Sequence, residues 1–197
     1  MIRSQVPKTI HAPEARRDEL VAAAYREIAT SGFEGLRTRE VAGAVGVNVA
    51  TLHYYFPTKE DLIRAVVGYA MSRFQSTLAQ QGTAMERLRG HFRGLRRLAH
   101  EEPELFRVMA ELMIRSSRDQ KLAEIIRKLN EYWHSTLRSL LRGAKEERAL
   151  PKDVDPDGMS AVIVATLKGV YLLPERFGPP EALDKALRQL EHTIGLR

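Results

Sequence analysis

The sequence predicts an all-α protein of about nine helices, and three observations carry that reading. Apolar residues recur at helical spacing along nearly the whole chain. No run alternates apolar and polar residues as a half-buried strand would, and no Asn-Gly or Asp-Gly hairpin is present. The helices fall into an N-terminal three-helix head and a larger helical bundle, with no internal repeat.

Residues 1–13 lack periodicity and carry Pro7 and Pro13, which reads as a mobile arm. Val21, Ala24, Tyr25 and Ile28 then mark the inner face of a helix from about Glu14 to Ser31, stopped by Gly32. Thr38 is placed to cap a short helix burying Val41, Ala42 and Val45, with Gly46 at its end. Asn48 caps another, through Tyr55, and Pro57 breaks it. Thr58-Lys-Glu-Asp61 resembles a capping box opening a helix to about Gln80, with Ile63, Val66, Val67, Ala70, Phe74 and Leu78 inward.

Beyond Gly82 the helices lengthen. Met85, Leu88, Phe92, Leu95 and Ala99 form one stripe; Pro103 opens another helix with Phe106, Met109 and Met113 inward. Ser117-Arg-Asp-Gln120 reads as a capping box for the longest helix, to about Glu147, whose stripe is Leu122, Ile125, Ile126, Leu129, Trp133, Thr136, Leu137 and Leu140. Asp155, with Pro156 behind it, caps a helix that is apolar nearly all round through Leu173, where Pro174 ends it. A last helix, Glu181 to Ile194, lines up Leu183, Leu187, Leu190 and Ile194.

Composition narrows the chemistry. With 197 residues the chain can bury a sizeable core, and 44% hydrophobic with 28% charged is ordinary for a globular protein. The absence of cysteine removes disulfides, Cys-ligated zinc, iron–sulfur clusters and cysteine nucleophiles. The N-terminus has no apolar signal core, and the stretch 159–173 contains Lys168 and is too short for a bilayer span, so the expectation is a soluble cytoplasmic protein with no membrane partner. Net charge is +6, but residues 1–60 hold 8 basic against 7 acidic side chains, residues 61–100 hold 7 against 2, and the rest balances. Bulk charge therefore locates no polyanion site; a motif has to.

That motif is Thr38-Arg-Glu-Val-Ala-Gly-Ala-Val-Gly-Val-Asn-Val-Ala-Thr-Leu-His-Tyr-Tyr-Phe-Pro-Thr-Lys-Glu-Asp-Leu62. Two short helices cross at a turn that needs positive φ, which Gly46 supplies. Ala42 permits close crossing, and Val47 and Leu52 lock the angle. This helix-turn-helix, residues 37–56, would lay its second helix in a DNA major groove. The run Gly46-Val-Asn through Thr-Leu-His-Tyr-Tyr-Phe-Pro-Thr-Lys-Glu-Asp-Leu62 resembles the DNA-binding domain of the TetR family of transcriptional regulators, and the likeness extends over about residues 14–74.

The resemblance implies a DNA-binding domain at 14–60 and a ligand-binding and dimerisation domain at 61–197. It implies that Thr38 and Arg39 meet phosphate or a base, and that Asn48, Val49, Ala50 and Thr51 open the recognition helix. It places Tyr54 and Tyr55 at groove- or phosphate-facing positions and Lys59 on the backbone. His53 stands where the family usually has tyrosine; its reach is shorter, and if it touches phosphate its protonation makes binding mildly pH-sensitive near neutrality. Tyr25, Leu52 and Phe56 read as core.

The expected partners are a double-stranded, palindromic DNA operator, a small-molecule effector and a second copy of the chain, since paired heads read half-sites about 34 Å apart. The protein would be nucleoid-associated when bound to DNA. Leu183, Leu187, Leu190 and Ile194 are the expected dimer interface, paired with the 159–173 helix in a four-helix arrangement. For the effector, Phe74, Phe92, Phe106, Met109, Met113, Trp133 and Leu137 lie on inward stripes of four successive helices, with Tyr132 and His134 as polar anchors; Met with aromatics suits an adaptable, largely apolar ligand. Ligand entry would shift the fourth helix and release a repressor from its operator.

Other signals carry less. Arg89, Arg93, Arg96 and Arg97 share a helix face and read as solvated. Glu131-x-x-His134 has the spacing of carboxylate-bridged di-iron bundles, but one copy stands alone, so no metal and no cofactor are expected. No catalytic signature appears, so no enzyme is expected. The alternative is a DNA-binding regulator or nucleoid- or division-linked factor without a small-molecule ligand.

Overall fold

The computed structural model describes residues 13–172 and 179–196. The expected arm at residues 1–12 and the expected stop at Leu173 and Pro174 lie outside them. Nine helices and no strand are present among the described residues. By internal contacts the chain divides into two compact units, residues 1–66 and 67–197.

The first unit holds α1 (Pro13–Gly35), α2 (Thr38–Ala44), α3 (Val49–Tyr55) and the start of α4 (Lys59–Gln75). Gly32, at φ 66°, breaks the helical path of α1, as its position after the last apolar repeat suggests. Leu20, Ala24, Ile28, Phe33, Leu36, Val41, Leu52, Phe56 and Leu62 build this core, and Tyr25 joins it. Val45 is only half-buried.

The joint between α2 and α3 is a Schellman turn. Gly46 donates its N–H to the Gly43 carbonyl at 3.0 Å, and Val47 donates to Ala42 at 3.0 Å. The residue between those two bonds must sit left-handed, and Gly46 does, at φ 71°. Asn48 caps α3 by accepting from the Thr51 amide at 2.8 Å. Thr58 and Asp61 cap α4 reciprocally: Asp61 donates to Thr58 Oγ1 at 3.1 Å, and Thr58 donates to Asp61 Oδ2 at 3.2 Å.

Two expected caps are displaced. Arg37, extended at φ −117°, is the residue before α2, and Thr38 is its first helical residue. Ser117 ends the preceding helix, while Asp119 caps the longest one by accepting from Leu122 at 3.0 Å. In both cases the boundary moved by a residue or two, within the range where competing caps are close in energy.

The second unit continues α4 and adds α5 (Ala84–Glu101), α6 (Pro103–Ser116), α7 (Gln120–Glu146), α8 (Pro156–Tyr171) and α9 (Pro179–Thr193). α4 ends at Gln75 rather than near Gln80. Its last carbonyls are taken by tight i→i+3 bonds, Thr77 to Phe74 at 3.2 Å and Leu78 to Gln75 at 3.0 Å, which keep Leu78 buried after the helix stops. α5 begins with a full capping box, Thr83 and Glu86.

The stripe Leu183, Leu187, Leu190 and Ile194 corrects an expectation. Three of these side chains have no exposed surface and Leu190 has 6%. They pack α9 against its own chain, chiefly α5 and α8, so they are not available to a second copy. Arg96 reinforces that docking with a fork onto Glu191, at 2.8 and 2.6 Å. What α8 leaves open is a different strip: Ala161, Val162, Ala165, Gly169 and Leu172, with Val162 49% and Leu172 57% exposed.

The turn yields a paired prediction. Gly43 and Gly46 each have open space where a Cβ would stand, so only backbone conformation separates them. Gly43→Ala, inside α2, should stabilise by roughly 0.5–1 kcal/mol. Gly46→Ala, left-handed, should destabilise by about 1–2 kcal/mol. Chemical denaturation of the two variants checks the opposite signs; equal effects would show that the turn does not enforce its φ.

Candidate functional site

The first unit presents an uncharged helix face. On α3, Ala50, His53 and Tyr54 are exposed, Val49, Thr51 and Tyr55 are half-buried, and Leu52 and Phe56 turn inward. Tyr54 is 79% exposed and meets the Tyr55 ring edge-on at 5.2 Å. An aromatic so exposed gains little from folding, and it stands ready for an external partner. Arg39 is exposed on α2, with Thr38 half-buried beside it.

Asn48 and Thr51 are partly committed to each other. The Thr51 hydroxyl donates to Asn48 Oδ1 at 2.9 Å, in addition to the backbone cap. Thr51 is half-buried, and its hydroxyl, used as a donor, keeps its capacity to accept. Lys59 is half-buried, with Nζ 3.5 Å from the Phe33 carbonyl, so its ammonium is tethered near the end of α1. Behind this face Arg17 lies over the Phe56 ring at 5.2 Å, and Arg16 donates to the Val45 carbonyl at 3.3 Å.

The second unit contains a small cavity lined by Met71, Phe74, Met109, Met113, Asn130, Trp133 and Lys168. Its volume is about 20 Å³, room for roughly one water. Four of the expected pocket residues are here: Phe74, Met109, Met113 and Trp133. The others are not. Phe92, Phe106 and Leu137 are fully buried core, Tyr132 is 56% exposed, and His134 lies 3.2 Å from Ser160 Oγ on α8. Tyr132 and His134 are therefore not in the lining of this cavity, whose polar residues are Asn130 and Lys168.

Behind the cavity wall runs a buried hydrogen-bond chain. Trp133 Nε1 donates to His91 Nε2 at 3.1 Å. His91 Nδ1 lies 2.6 Å from Thr77 Oγ1, whose hydroxyl donates to the Phe74 carbonyl at 2.6 Å. Because an indole N–H only donates, Nε2 must accept, which leaves the proton on Nδ1 to be donated to Thr77. His91 is thus the neutral Nδ1–H tautomer, and burial pushes its pKa down to about 4. Gly94 makes room for the chain: a Cβ there would stand 2.6 Å from Thr77 Cβ.

Sequence reasoning missed Thr77, His91, Asn130 and Lys168. His91 was passed over because only apolar residue types were sought, although its spacing from Leu88 and Leu95 puts it on the buried face of α5; Lys168, the single charge in the apolar stretch 159–173, was the visible signal. The arginine face of α5 is less solvated than expected, since Arg96 holds Glu191 and Arg89 donates to the Leu196 carbonyl at 3.3 Å. Glu131 pairs with Arg127 on the surface. No group of three potential metal-ligating side chains occurs among the described residues, and no described helix is long and apolar enough to cross a membrane.

Comparison with known proteins places these features in context. Residues 20–66 match the model for bacterial regulatory proteins of the tetR family, and residues 84–195 match that for the C-terminal part of BetI-type transcriptional repressors. The nucleoid occlusion factor SlmA of Photobacterium profundum is 28% identical, across 91% of this chain and 96% of its own. The HTH-type transcriptional regulator BetI of Rhizobium meliloti is 27% identical, across 91% and 87%. A TetR transcription regulator from Haloarcula marismortui shares the fold, with a TM-score of 0.83 at 21% identity over 92% of this chain and 97% of its own.

The His91 chain sets an acid limit on stability. Above the unfolded imidazole value of 6.5 both states are neutral; between 6.5 and about 4 only the unfolded state takes up the proton. His91 should therefore withdraw up to about 3 kcal/mol of stability as pH falls through that window, and none above it. Urea midpoints across the window, compared with His91→Gln, check this; parallel acid sensitivity in the two proteins would remove His91 as its source.

Proposed function

The chain belongs to the TetR family of bacterial regulatory proteins, and on that premise we propose that it is a ligand-responsive repressor, released from a palindromic operator when a small, largely apolar molecule enters the second unit. The observation that carries the ligand-responsive part is the Met- and aromatic-lined cavity whose wall is tied, through Trp133, His91 and Thr77, to the end of α4. α4 begins at Lys59, directly after the helix-turn-helix, so a displacement of its far end has a continuous helix to travel along.

In this reading the α3 face enters the major groove. Val49, Ala50 and the Thr51 methyl suit thymine methyl groups, Arg39 reads guanine or phosphate, and Tyr54, Tyr55, His53 and Lys59 hold the backbone. The face carries little charge, so affinity comes from placed contacts and from two heads acting together. The second copy docks through the open strip of α8, Val162, Ala165 and Leu172, in place of the buried α9 leucines. Its small residues let two helices approach closely. Likeness to SlmA across nearly the whole chain favours one other reading, a nucleoid-linked DNA-binding factor that needs no effector.

Selection of bound genomic fragments, followed by operator titration with and without a compound library, tests the proposal. Release by a small molecule supports it; binding at many dispersed sites with no compound effect favours the nucleoid-linked reading. Tyr54→Ala should lower operator affinity about tenfold or more while moving the unfolding midpoint little, since the ring is exposed. Val162→Glu with Ala165→Glu should sediment as a monomer, and a persistent dimer would move the interface elsewhere.

A further inference from the structure

Lys168 and Asn130 stand out in the cavity lining, because everything else there is Met, Phe or Trp. Lys168 sits on α8 and Asn130 on α7, and both are half-buried. Neither side chain has a hydrogen-bond or ion-pair partner among the described residues. An ammonium drawn partly out of water with no counter-ion is unfavourable, and burial pushes its pKa below the ordinary lysine value. A snorkelling lysine on a free surface has no such cost, because its head stays hydrated. Lys168 is half-buried, keeps part of its hydration, and lines an apolar cavity without a counter-ion.

Resting on the effector reading above, we propose that the cavity takes an apolar-tailed monocarboxylate, with Lys168 pairing its charge, Asn130 donating to its second oxygen, and the Met and aromatic side chains enclosing its tail. One ammonium and one amide match a single negative charge on two oxygens. They would leave a phosphate, with its second charge and third oxygen, underserved, and they repel a cationic ligand. Met71, Met109 and Met113 are the parts of the wall able to re-pack as the tail enters.

The test uses an internal probe. Trp133 is the one tryptophan in the chain and lies in the cavity wall. Its fluorescence, in the full-length protein, should respond to octanoate at concentrations at least about tenfold lower than to octanol or octyltrimethylammonium. Lys168→Met, close in volume, should weaken octanoate about tenfold or more and leave octanol unchanged; Lys168→Gln serves if the first variant unfolds early. Equal responses to octanoate and octanol, unchanged octanoate binding in either variant, or no response to octanoate would each overturn the proposal. Operator titration in parallel separates the two readings. If neutral compounds release the operator and octanoate does not, the carboxylate proposal fails and ligand-responsive repression stands. If octanoate binds as expected but no ligand changes operator affinity, the reverse holds.

Discussion

His91 accepts from Trp133 on one ring nitrogen and donates to Thr77 with the other, and it does both only while neutral. Three segments of the second unit meet at that constraint. Thr77 lies just beyond the end of α4, His91 on α5 and Trp133 on α7, so one imidazole holds three segments in register. Each member is buried, and removing any one would strand a polar group away from water, which costs about 1–3 kcal/mol. The chain also explains Gly94, which no helix propensity favours: a side chain there would displace Thr77 and break the bond to the ring.

The same constraint shapes the cavity. Trp133 and Phe74 are both ends of the hydrogen-bond chain and parts of the cavity wall. Their positions are therefore coupled, whereas the methionines beside them are held only by packing. A wall with two fixed aromatics and three adaptable thioethers re-shapes on one side only. Movement forced on the indole has to pass to Thr77 and the last turn of α4, or the bond to His91 has to break.

How much of this was legible in the sequence follows from the kind of signal each feature leaves. The helix-turn-helix was written in local chemistry, with Gly46 left-handed and Asn48 at a cap, and both are where the residues place them. The stripe of α9 was equally legible as a stripe, but periodicity says only that a face is covered. Leu183, Leu187, Leu190 and Ile194 are covered by their own chain, and which neighbour covers a face is a tertiary fact. The pocket shows the same limit. Inward spacing picked out Phe74, Met109, Met113 and Trp133 together with Phe92, Phe106 and Leu137, because lining and core residues share one pattern. His134 drew attention as a polar residue on α7, while the polar residues at the cavity were Asn130 and a lysine that interrupts α8.

The size of the void bears on how such a protein can switch. At about 20 Å³ the cavity admits roughly one water, far less than any organic effector. On the effector reading proposed above, a ligand has no access to this conformation and binds only one in which the wall has re-packed. That asymmetry is what a switch requires, because a ligand shifts an equilibrium only by the difference in its affinity for the two states. A roomy, preformed pocket would hold ligand in either state and transmit little. In that reading a closed pocket makes binding and rearrangement one event, and the Trp133–His91–Thr77 chain links the rearranged wall to the Phe74 carbonyl on α4.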